Sequence, residues 1–277
     1  MPARLFPRSP WRPFALIDAR SIAWAGLFSL VIAAWLGLFL TAPAVDGGAV
    51  FGALDWRHSA ALHDGIEGPR LMGMWALMVL AMMLPTLVPM VRTYLELTHA
   101  QPRRLAMQGA FVLGYVLVWL GFSALATFAQ VVLQRAGLLD AGGVLMSMWL
   151  TLGLLIFAGL YQFSALKQAC VRACQAPFQF FMAHWRDGVL GGLNLGLRQG
   201  LICLGCCWAM MVLAFVGGTM NLVWMGGATV LMALEKLPSI GARVSPLLGC
   251  GLLALALALF VSLIYQQVIG GVYGLAY

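Results

Sequence analysis

Apolar residues run along this chain in long stretches broken by short polar segments. The pattern shows neither the two-residue alternation of a half-buried strand nor the narrow apolar stripe of a surface helix. Stretches of this length predict helices that cross a bilayer. The first runs from Ile22 to Leu40, and the others lie at about 70–91, 105–132, 143–166, 189–217, 219–236 and 246–268. The expected fold is all-α, a polytopic transmembrane helix bundle of about seven spans. Its organisation would be a basic arm over 1–20, a first transmembrane helix over 21–42, an outer loop over 43–69 and a six-span core over 70–277. Ala42-Pro43-Ala44 resembles a signal-peptidase site. The apolar run before it exceeds the roughly 7–15 residues of a signal-peptide core, so a retained helix is expected. Gly217-Gly218 leaves almost no loop between the fifth and sixth spans, and one broken or re-entrant helix is the alternative there.

Composition agrees with lipid as the main solvent. Of 277 residues, 62% are hydrophobic and 9% charged, against about 25% charged in soluble domains. The net charge of +7 could suggest nucleic acid, but the basic residues sit in short segments between apolar runs, where they set topology. Arg4, Arg8, Arg12 and Arg20, then Arg92, Arg103 and Arg104, then Lys167, Arg172 and Arg186, then Lys236 and Arg243 all fall on one side if there are seven spans. This predicts a cytoplasmic N-terminus and an outer C-terminus. No nucleic-acid partner is expected, and the oligomeric state stays open.

Sulfur is the chemistry that stands out. The second span carries Met74, Met78 and Met82 at four-residue spacing, with Met83 beside them, so thioethers line one helix face. Pro85 and Pro89 follow and should free the carbonyls near residues 81 and 85. The fifth span carries Cys203, Cys206 and Cys207, with Met210 and Met211 one turn further on. Cys170 and Cys174 are again one turn apart, just past the fourth span, and Met220 and Met225 open the sixth. Thiols with nearby thioethers form a soft ligand set that suits Cu(I) and, less well, zinc. Each group also has a plainer reading, because methionine fills gaps and free cysteine is often simply buried.

The other ionisable groups carry less. Asp55, His58, His63, Asp64 and Glu67 match no metal-binding spacing and read as a solvated outer loop. Glu235-Lys236 reads as an interfacial anchor that snorkels. Glycines 188, 192, 196 and 200 repeat every fourth residue and predict close helix packing.

The expected orientation grades the sulfurs from thioether outside to thiol inside. Thioethers cannot form disulfides in an oxidising compartment, whereas thiols on the reducing side bind soft metal strongly.

These stretches resemble the bacterial family of predicted metal-binding integral membrane proteins. The resemblance rests on Met74-Trp75 through Met78, Ala81-Met82-Met83 and Pro85, and on Tyr161-Gln162 through Lys167, Cys170, Cys174 and Pro177. It continues through Cys203, Cys206-Cys207-Trp208, Met211, Gly218, Met220-Asn221, Trp224-Met225 and Glu235-Lys236, covering roughly residues 70–250. Ser164-Ala165 departs from the Thr-Pro expected at that point. The resemblance implies metal binding without naming the metal.

The leading expectation is therefore a Cu(I)-binding membrane protein. It would translocate copper or deliver it to a cuproenzyme, with a copper chaperone or cuproenzyme as partner and no enzymatic activity. The alternatives are a membrane thiol–disulfide relay, which leaves the methionines unexplained, and a non-catalytic assembly factor.

Overall fold

The computed structural model describes residues 19–41, 67–140, 142–219 and 221–273. The described residues are almost wholly helical, a form in which each segment satisfies its own N–H and C=O groups. In order the helices are α1 (Ala19–Thr41), α2 (Glu67–Leu97), α3 (Arg104–Arg135), α4 (Met148–Tyr161), α5 (Ala165–Gln175) and α6 (Pro177–His184). Then come α7 (Gly188–Val212), the single turn α8 (Ala214–Gly217), α9 (Leu222–Glu235) and α10 (Gly241–Tyr273). The basic arm and the acidic, histidine-bearing outer loop lie outside the described residues, apart from the start of α2.

Every predicted span contains a helix, but the helices are unequal. Four are long and apolar enough to cross a membrane: Gly68–Leu97, Arg104–Arg135, Gly188–Gly217 and Gly241–Gln267. A fifth crossing is possible if α4 and α5, bent by 58° at their junction, form one broken span. The expectation of a continuous span over 143–166 is corrected here. Its helix covers only Met148–Tyr161, and a separate helix starts where Ser164 accepts a hydrogen bond from the Lys167 amide at 3.1 Å. Serine thus supplies the cap at the point where the sequence departs from the family pattern. α9 is likewise short, with 14 residues.

The segment 167–187, expected as a basic connection, is also different. It folds into α5 and α6, and Lys167 is completely buried. Its neighbours on one face of α5, Val171 and Cys174, are buried with it.

α3 and α7 make the most extensive helix pairing among the described residues. Glycine is the cause. A Cβ on Gly196 would collide with the Phe111 carbonyl, and one on Gly114 would strike the Leu193 carbonyl and lie 2.8 Å from the Leu197 nitrogen. Gly192 and Gly200 face α3 in the same way. Gly188 does not belong to this contact. It has φ +79° and open space around it, and it starts α7. Three of the four repeated glycines therefore let the backbones meet.

α2 passes between α1 and α3. Pro85 and Pro89 both sit inside this one helix, and the carbonyl that Pro85 leaves free, that of Ala81, accepts a bond from Trp35 Nε1 of α1 at 3.1 Å. Between α7 and α9 the chain reverses at Gly218, φ +95°. Asn221 fixes the turn, accepting from the Trp224 amide at 3.0 Å and donating to the Gly217 carbonyl at 3.1 Å.

Candidate metal centre

Cys203, Cys206 and Cys207 lie past the middle of α7, at the level where α2, α3 and the end of α9 close on it. Spacings of three and four residues put all three side chains on the buried side. Each is at most 1% exposed, and their sulfur atoms lie within 4.8 Å of one another. Cys206 Sγ approaches Cys207 Sγ at 3.2 Å and donates to the Cys203 carbonyl at 3.1 Å. They are the tightest group of potential metal ligands among the described residues.

Four helices converge on Cys203. The Lys236 ammonium donates to its sulfur at 2.9 Å and to Thr86 Oγ1 at 2.7 Å. The Tyr115 hydroxyl lies 3.1 Å from the same sulfur. Tyr115 and Thr86 both donate to the Met83 carbonyl, at 3.1 and 2.9 Å. An ammonium held among uncharged groups needs a strong acceptor, which a neutral thiol is not and a Cys203 thiolate would be. The reading of Glu235-Lys236 as a snorkelling anchor is thereby overturned. Lys236 is 7% exposed and points into the bundle. Glu235 is 1% exposed and accepts both hydrogen bonds of Lys167 Nζ, at 2.8 and 3.0 Å, with Ser245 Oγ donating to it at 2.8 Å.

Cys170 and Cys174 come from α5, which packs along α7. The Cys170 sulfur rests over Gly205, where a Cβ would approach it to 2.7 Å. Cys174 is buried and accepts from Gln199 Nε2 at 3.5 Å. The two thiol groups that the sequence keeps thirty residues apart are neighbours in the fold.

Met74, Met78, Met82 and Met83 of α2, Met211 of α7 and Met225 of α9 are all buried and share one hydrophobic core with the three clustered cysteines. Met220 lies outside the described residues. Cys250 is exposed on α10. Sequence reasoning missed Lys236, Thr86, Tyr115 and Gln199 as neighbours of the thiols. For Lys236 a signal existed: it lies one turn beyond Met232 and three beyond Met225, on the stripe that α9 buries.

No curated protein and no solved structure matches the chain. A family model does: the one described as PpoB2, copper chaperone, matches residues 72–259, which include every clustered cysteine and the whole methionine stripe. That match covers more than half of the sequence, and the chain belongs to the PpoB2 copper chaperone family.

Proposed function

We propose that this is an inner-membrane Cu(I) carrier that binds the ion at Cys203, Cys206 and Cys207 and passes it to a cuproenzyme or across the bilayer. The supporting observation is the group of three buried thiols within 4.8 Å of one another. Thiolate and thioether sulfur are soft ligands that suit Cu(I), with zinc the lesser alternative. The family's description as copper chaperones agrees with that ligand chemistry.

The methionines supply the approach. Met74, Met78 and Met82 step along α2 one turn at a time, over about 12 Å, towards the Cys203 level, with Met211 and Met225 as further thioethers. A Cu(I) ion moving between such ligands keeps a low coordination number and never crosses the apolar core bare. Copper here is cargo, so binding must be reversible. Thioethers hold it weakly along the route, and the thiols hold it at the end.

The test is anaerobic loading of the detergent-purified protein with Cu(I), followed by copper quantification with a bicinchoninate-type chelator. The variant carrying Cys203→Ser, Cys206→Ser and Cys207→Ser is expected to lose most bound copper while keeping its elution volume and melting temperature. Equal copper in both proteins would remove these thiols from the function.

A further inference from the structure

A positive charge beside a cation-binding site needs a reason, and Lys236 places one there. Its ammonium donates to Cys203 Sγ at 2.9 Å and to Thr86 Oγ1 at 2.7 Å from a buried position. Successive helix positions point about 100° apart, so Glu235 beside it faces elsewhere, towards Lys167 and Ser245. Among the described residues no carboxylate pairs with Lys236, and the Cys203 sulfur is the one ionisable group to which it donates. Thr86 fixes the ammonium from its other side, accepting from it while donating to the Met83 carbonyl at 2.9 Å.

The other cations nearby are committed or turned away. Lys167 is buried on Glu235. Arg198, earlier on α7, is exposed and donates to Asn194 at 3.0 Å. Arg172 on α5 is exposed as well. Lys236 is therefore the cation that the described residues aim at the thiol cluster.

Such a charge suits the complex better than it suits the bare ion. Cu(I) among three thiolates leaves two net negative charges, and Zn(II) in the same place leaves one. A net charge inside an apolar bundle is costly without a countercharge. Coulomb attraction follows the product of the charges, so a fixed ammonium stabilises the Cu(I) complex more than the Zn(II) complex.

We propose that Lys236 is the countercharge of the loaded site and favours a monovalent over a divalent cation on Cys203, Cys206 and Cys207. It is a positioning residue, in contact with a ligand and not with the ion. The proposal rests on the copper-carrier reading above and adds to it the group that selects the charge of the cargo. Ligand softness alone separates these two ions only in part, since thiolates also bind zinc.

The experiment measures two affinities on the full-length protein in detergent, under anaerobic conditions. Cu(I) is competed against bicinchoninate and Zn(II) against a colorimetric zinc chelator, for wild type, Lys236→Met and Lys236→Arg. Lys236→Met is expected to weaken Cu(I) binding by about tenfold or more and Zn(II) binding by a smaller factor. Lys236→Arg, which keeps the charge, is expected to keep the wild-type ratio of the two affinities. Unchanged Cu(I) binding in Lys236→Met overturns the countercharge and leaves the carrier reading standing. An equal fall for both ions does the same, because Lys236 would then only shape the site, as does a Lys236→Arg ratio that matches Lys236→Met. Wild-type protein that binds no Cu(I) overturns the carrier reading itself. Should Lys236→Met fail to fold, Lys236→Gln, neutral but able to bond Thr86, decides by the same ratio.

Discussion

Side by side at the end of α9, Glu235 and Lys236 have opposite duties, and neither could be assigned from position alone. Each was expected at a water boundary because it follows an apolar run. Burial reverses that, since a charge withdrawn from water needs a partner. Glu235 receives Lys167 Nζ at 2.8 and 3.0 Å, and Lys236 donates to Cys203 at 2.9 Å. A buried pair adds little over an apolar replacement, but removing one partner strands the other. Glu235→Gln is therefore expected to cost about 3–5 kcal/mol. Glu235→Leu with Lys167→Met should recover most of that loss. Thermal melts in a common detergent check both, and a double variant no better than the single would show that the charges themselves are required. The cysteines, by contrast, were legible, because spacings of three and four residues fix a shared helix face whatever the partner helices are. Which lysine or hydroxyl comes to meet that face depends on contacts as far as 150 positions apart along the chain.

At the scale of helices the α3–α7 pairing gives the clearest graded test. At Gly196 an added Cβ runs into the Phe111 main chain, which cannot yield without moving α3, whereas at Gly200 the nearest atom is the Val118 Cβ at 2.8 Å and the overlap is smaller. Gly196→Ala is expected to destabilise by about 1–3 kcal/mol or more, and Gly200→Ala by distinctly less. Equal melting temperatures for the two would contradict this account of the contact. The repeat behind the prediction was visible in the sequence, and three of its four glycines do pack as the spacing implies. Helix lengths were less visible. Hydropathy sees 143–166 and 219–236 as continuous apolar runs, but Ser164 and Asn221 start or restart helices within or beside them through side-chain caps. α5 shows the opposite failure. Its face of Lys167, Val171 and Cys174 has helical spacing, but the basic residues around it made it look like a connection. Only the presence of Glu235 opposite turns that lysine inward.

Taken over the whole molecule, helix lengths constrain where the thiols would sit in a bilayer under the proposed function. α2 and α3, with 31 and 32 residues, extend about 46–48 Å and must project beyond a hydrocarbon core of about 30 Å. α9, with 14 residues, covers only about 21 Å, and its end meets α7 at Cys203. The α7–α9 hairpin therefore returns only as far as that level, while the first half of α7, the last turns of α2 and the beginning of α3 continue past it. α6 packs there, with the Phe181 ring 5.2 Å from that of Tyr94. On the proposed membrane reading the thiol level belongs near one face of the bilayer instead of at its centre, with the methionine stripe in the hydrocarbon. If that face is the cytoplasmic one, as the positive-inside expectation has it, the turn at 236–240 is cytoplasmic despite the shortness of α9. Alkaline phosphatase fused after Ala100, Asp140 and Ile240 reads this directly, because the enzyme is active only when exported. Activity is expected at Asp140 alone. Activity at Ile240 would mean that α9 does not return through the membrane, and the thiol level would then not face the cytoplasm.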